Sequence, residues 1–126
     1  MVRSMNTLDV AALFGARVLI VEDDAGIGRA LRELLTVVGA VAVGPARSVA
    51  EAMTLYADPG CDLAILDYRL GGETVADFAD HLITTNGKFL FYTSAPEVKG
   101  RYPQAILIEK PGQLMDIIGR LIEMRR

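Results

Sequence analysis

The sequence predicts an α/β domain, a doubly wound parallel sheet of five strands with helices on both faces. Three observations predict it. Short, solidly apolar runs alternate with segments of helical period from residue 17 to the end of the chain. The runs are rich in β-branched residues, as strands buried on both faces should be. Strand, helix and strand in succession imply right-handed crossovers, which place parallel strands in one sheet. At 126 residues the chain suits one core, and 52% hydrophobic content suffices to fill it.

The elements follow in order. Val18-Leu19-Ile20-Val21 is the first strand and ends in Glu22-Asp23-Asp24. Ile27, Leu31, Leu34, Leu35 and Val38 recur at spacings of three and four, one face of a helix. Asp24 suits its N-cap and Gly39 its stop. Val41-Ala42-Val43 is a second, weaker strand, closed by Gly44-Pro45. Ser48 caps a helix carrying Val49, Ala52, Met53 and Tyr56, which ends before Asp58-Pro59-Gly60. Leu63-Ala64-Ile65-Leu66 is the third strand and ends in Asp67. After a Gly71-Gly72 turn, Val75, Phe78, Ala79, Leu82 and Ile83 form another helical stripe. Phe89-Leu90-Phe91-Tyr92 is the fourth strand, followed by Thr93. Pro96, Gly100 and Pro103 leave room only for a short or loose fourth helix. Ile106-Leu107-Ile108 is the fifth strand, ending in Glu109-Lys110-Pro111, and Leu114, Ile117, Ile118 and Leu121 mark the last helix. Residues 1–16 show no such period and are expected to be an N-terminal extension, with the domain proper at 17–126.

Five such units suit the flavodoxin-like strand order 2-1-3-4-5. Ligands of such sheets bind beyond the carboxyl ends of the strands, at the switch between the first and third. Those two strands end in Glu22-Asp23 and in Asp67. Other classes are excluded by composition. No apolar run approaches the ~20 residues of a membrane span, and no basic-then-apolar leader opens the chain. The single cysteine, Cys61, forbids an internal disulfide and fits a reducing, cytoplasmic setting. The single histidine, His81, forbids a multi-histidine metal site. A net charge of −3 without a basic cluster argues against direct nucleic-acid binding.

Three carboxylates at one sheet edge repel one another and stay ionised together only around a cation. Oxygen donors without sulfur or imidazole select Mg²⁺ or a similar hard ion. The fourth strand adds a hydroxyl, Thr93, and the fifth an ammonium, Lys110. A cation, a carboxylate, a hydroxyl and a lysine suit an incoming phosphoryl group. Taken singly, each residue has a plainer reading: Asp67 as a turn cap, Lys110 as surface charge, Thr93 as an ordinary strand residue. Asp24 reads better as the helix cap than as a ligand, His81 as an exposed helix residue and Cys61 as an inert core neighbour.

With VLIVEDD, LAILDYRL, FLFYTS and ILIEKP in this order, residues 17–125 resemble the receiver domain of bacterial two-component response regulators. The resemblance implies that Asp67 accepts the phosphoryl group. It implies that Glu22, Asp23, Asp67 and the backbone carbonyl of Arg69 hold Mg²⁺. Thr93 would be the hydroxyl switch and Lys110 the family's lysine, joined to Pro111 through a cis bond. The implied donor is a histidine kinase or a phosphotransfer protein. A downstream protein or a second copy would dock on the face built from the fourth helix, fifth strand and last helix.

Two departures stand out. The aromatic switch of the family, three residues before the lysine, is Leu107 here; Tyr102, in the fourth-helix region, is a candidate substitute that no sequence pattern supports. The stretch from Thr93 to Lys110 is short, which resembles stand-alone receivers paired with HWE-type kinases. The last helix ends at the chain's end, so no output domain is expected. The rival readings are a phosphate sink for a kinase, a phosphorylation-independent pseudo-receiver and a dehalogenase-like phosphatase. The last needs Asp-x-Asp after the first strand, and Glu22-Asp23-Asp24 lacks it.

Overall fold

The computed structural model describes residues 11–126. Its elements are β1 (Arg17–Val21), α1 (Ala25–Val37), β2 (Val41–Ala46), α2 (Val49–Ala57), β3 (Leu63–Leu66), α3 (Ala76–Thr84), β4 (Phe89–Thr93), α4 (Glu97–Arg101), β5 (Ile106–Glu109) and α5 (Leu114–Arg125). The strands form one parallel sheet in the order β2-β1-β3-β4-β5, the flavodoxin-like arrangement. No helix among the described residues is long and apolar enough to cross a membrane.

Period-two alternation divides the core between two layers. Leu19 and Val21 of β1, Leu66 of β3 and Phe91 of β4 pack with Phe78, Leu82 and Val98 beneath α2, α3 and α4. Val18, Ile20 and Ile65 face the other way, against Leu31, Leu35, Ile117, Ile118 and Leu121 of α1 and α5. Burial of each large side chain contributes roughly 1.5–3 kcal/mol. The solid runs of β1 and β3 are therefore the centre of the domain, covered on both faces.

Local signals set the helix ends. Asp24 Oδ1 accepts from the Ile27 N–H at 2.9 Å and starts α1. Ser48 Oγ accepts from the Glu51 N–H at 3.1 Å and starts α2. Gly39 follows α1 at φ +82°, where a Cβ would lie 2.6 Å from the Phe14 ring.

Three features differ from, or go beyond, the sequence pattern. β2 does not close at Gly44-Pro45 but runs on to Ala46. It is an edge strand, where proline is tolerated, and its pairing with β1 shifts register between Leu19 and Val21. A two-residue antiparallel hairpin, Arg69–Leu70 with Glu73–Thr74, turns across Gly71 and Gly72. It is too short to show any period. Finally, the described part of the expected extension packs on the domain. Leu13 and Ala16 are fully buried, the Val41 N–H donates to the Ala16 carbonyl, and Arg125 Nη1 donates to the carbonyls of Ala12 and Phe14. Residues 1–10 of that extension lie outside the described residues.

Candidate functional site

The sheet's main-chain bonding continues past the strand ends and aligns the side chains there. The Glu22 N–H donates to the Ala46 carbonyl, the Asp67 N–H to the Val21 carbonyl, and the Lys110 N–H to the Thr93 carbonyl. The continuation of β2 to Ala46 thus helps seat Glu22. Parallel strands in this register bring residues 22, 67, 93 and 110 to one edge, although they are far apart in the chain.

There, Glu22, Asp23 and Asp67 each offer a carboxylate oxygen within 4.8 Å of the others. Lys110 Nζ donates to Glu22 Oε1 at 2.7 Å and to Asp67 Oδ2 at 2.8 Å. It also lies 5.4 Å from the centre of the Tyr92 ring. Glu22 is 3% exposed, and its second oxygen accepts from the Asp24 N–H at 3.2 Å. The Asp23 carboxylate has no hydrogen-bond partner among the described residues, while Gly71 of the hairpin turn lies beside it.

One lysine against three carboxylates leaves the edge strongly negative. Burial, with Asp67 alongside, raises the Glu22 pKa from 4.5 to about 7 despite the bond to Lys110. Burial alone would lower the Lys110 pKa, but Asp67 and Glu22 together outweigh it and raise it. The lysine is therefore charged at neutral pH, and Glu22 is held back from full ionisation. Such a donor set fits a hard divalent cation, which would relieve the remaining repulsion.

Thr93 is 2% exposed. Its Oγ1 accepts from the Tyr68 N–H at 3.4 Å and the Ala95 N–H at 3.3 Å. It therefore joins the residue after Asp67 to the loop before α4. Arg69 stands two residues past Asp67 on the hairpin, and its guanidinium is paired with Glu97 at the start of α4. Asp24 is the cap of α1, as its place in the sequence suggests. Lys110-Pro111 is a cis bond. Cys61 is half-buried, and burial pushes its thiol up to about 11, so it stays protonated at neutral pH. His81 is half-buried against the edge of Tyr56.

Sequence patterns do not reveal the contacts of two residues near the site, although Tyr102 is already the candidate substitute for the family's aromatic. Arg47 reaches it from the β2–α2 loop, donating Nη2 to the Asp23 carbonyl at 3.3 Å. Tyr102 turns inward and packs at a tilt against Phe91, its ring centre 5.2 Å away, whereas Leu107 is only half-buried. Both arise from contacts across more than ten residues of chain, which leave no local trace.

No family profile and no curated protein matches the sequence. Solved structures do. The non-phosphorylated HemR receiver domain from Leptospira biflexa is 32% identical, with a TM-score of 0.75, over 87% of this chain and 94% of that one. The chain belongs to the response regulator receiver domains. The PhyR receiver domain from Erythrobacter litoralis shares this receiver's fold, with a TM-score of 0.79 at 24% identity over 90% of this chain and 92% of that one. The anti-anti-sigma factor PhyR from Bartonella quintana matches with a TM-score of 0.78 at 23% identity over 94% of this receiver. The receiver spans 50% of that PhyR's length. Its membership supports a signalling role in a two-component system.

Proposed function

We propose that this receiver domain takes a phosphoryl group from the phosphohistidine of a histidine kinase or phosphotransfer protein onto Asp67. An Asp67 carboxylate oxygen attacks phosphorus, the P–N bond breaks, and its electron pair returns to the imidazole. Lys110, already 2.8 Å from Asp67, neutralises an incoming phosphoryl oxygen, and Thr93 donates its hydroxyl to another. Glu22, Asp23, Asp67 and the Arg69 carbonyl would hold Mg²⁺, which when bound supplies positive charge beside the phosphoryl oxygens. The acidic edge suits that ion because its donors are all oxygen and the Asp23 carboxylate has no hydrogen-bond partner among the described residues.

The output is a change in the α4–β5–α5 face, read by a downstream protein or by a second copy. The protein acts on its own aspartate and turns over no separate substrate. The observation that carries the reading is the convergence of three carboxylates with Lys110 and Thr93 at one strand-end edge. A phosphorylation-independent module would have no use for that set. A phosphate sink would use the same chemistry without an output.

The test is incubation with a small phosphodonor and Mg²⁺, followed by intact mass. The protein gains one phosphoryl group, and Asp67→Asn gains none. An unmodified wild-type protein would refute the reading.

A further inference from the structure

Helix α4 has five residues and buries one side chain, Val98. A helix this short has little stability of its own, so a neighbouring residue must hold it in place. Besides the Arg69–Glu97 pair at its start, Tyr102 does so; it caps α4 and is 7% exposed. Its ring centre lies 5.2 Å from that of Phe91 and 6.4 Å from that of Tyr68. Its hydroxyl donates to Asp80 Oδ1 of α3 at 2.8 Å, with the Ala76 carbonyl a weaker acceptor at 3.3 Å. Arg101 closes the group, giving Nε to the Tyr102 oxygen at 3.1 Å and Nη2 to Asp80 Oδ2 at 3.2 Å. Burial and the bond to Asp80 raise the phenol's pKa, so it remains a donor at physiological pH.

Two routes connect Tyr102 to Thr93. Through side chains, Thr93 Oγ1 holds the Tyr68 N–H, and the Tyr68 ring meets the Tyr102 ring. Through the main chain, Thr93 Oγ1 holds the Ala95 N–H, the Ala95 carbonyl accepts from Val98, and the Val98 carbonyl accepts from Tyr102. We propose that Tyr102 is the positioning residue through which a displacement of Thr93 reaches α4 and α3 together. The inference rests on Asp67 being the phosphoryl acceptor. When the Thr93 hydroxyl turns to a phosphoryl oxygen, two buried N–H groups lose their acceptor. Leaving them unpaired is costly, so the loop at 94–96 must rearrange. Tyr102 is linked to that loop through the Val98 and Ala95 carbonyls and is bound to α3 at its hydroxyl, so the movement crosses from one helix to the other. The phenol is thus a hinge pin between two arrangements, with Asp80 as its seat.

The experiment compares amide hydrogen exchange in 76–84 and 94–105, with and without Mg²⁺ and beryllofluoride as the phosphoryl mimic. The proteins are the full wild-type chain, Tyr102→Phe, Asp80→Asn and Asp80→Leu, with phosphoryl uptake measured in parallel by intact mass. Wild type shows a mimic-dependent difference in both segments. Tyr102→Phe keeps its ring and its phosphoryl uptake, but its difference in 76–84 falls about fivefold or more. Asp80→Asn, which retains the acceptor oxygen, responds as wild type does, and Asp80→Leu behaves as Tyr102→Phe does. Should Tyr102→Phe not fold, the two Asp80 variants carry the same contrast. A full wild-type difference in Tyr102→Phe or Asp80→Leu overturns the inference, as does a wild-type protein that takes up phosphoryl without any change in either segment. A wild-type protein that takes up no phosphoryl group overturns the acceptor reading first.

Discussion

Thr93 accepts two main-chain N–H groups inside the core. Thr93→Ala leaves both donors without that oxygen, so it should cost about 1–2 kcal/mol in urea unfolding. It should leave phosphoryl uptake by Asp67 measurable and remove the response of a partner to phosphorylation. Glu22 makes a second prediction. Its folded pKa of about 7 lies above its usual 4.5. Between those values the folded protein binds more protons than the unfolded chain, so Glu22 makes stability fall as pH rises through that window. In metal-free protein, Glu22→Gln should therefore gain on wild type near pH 8, and the gap should close towards about pH 4.5. Urea midpoints across that range check it. A gap independent of pH would show that burial does not penalise the carboxylate.

Elements place these residues, and the β4–α4–β5 stretch is where this receiver departs from the family's pattern. Leu107 replaces the aromatic, but it does not inherit the buried position, because Tyr102 comes in from α4 to pack on Phe91. Leu107 packs only partly against that layer. Leu107→Ala should therefore cost about 1–2 kcal/mol, below the range for a fully buried leucine. Phosphoryl uptake should not change. A variant that folds normally yet loses the phosphorylation-dependent response would make Leu107 itself the switch.

Across the whole molecule, the core extends beyond the five βα units. Leu13 and Ala16 fill the α1–α5 layer ahead of β1, and Arg125 at the end of α5 holds the carbonyls of Ala12 and Phe14. Leu13 is fully buried, so Leu13→Ala should cost about 2–5 kcal/mol, measured by denaturant unfolding. A cost near zero would make this segment a dispensable extension.

Repeated solid apolar runs and helical stripes determined the five strands of the main sheet and the helix faces, because both depend on burial repeated along the chain; alternation of five such units suited the order that the sheet adopts. Asp24 and Ser48 declared their helix starts because a cap is a contact between near neighbours. Glu22, Asp23, Asp67, Thr93 and Lys110 were legible because each lies within two residues of the end of an apolar run, and parallel strands bring such ends together. The hairpin at 69–74 was not legible, since two-residue strands have no period. Nor was the passage of β2 through Pro45, which depends on being at the edge of the sheet. Arg47 at the Asp23 carbonyl, Arg69 paired with Glu97, and Tyr102 seated on Asp80 are contacts between residues 22–28 positions apart. No periodicity carries such distances, so only the packed chain decides which polar groups meet.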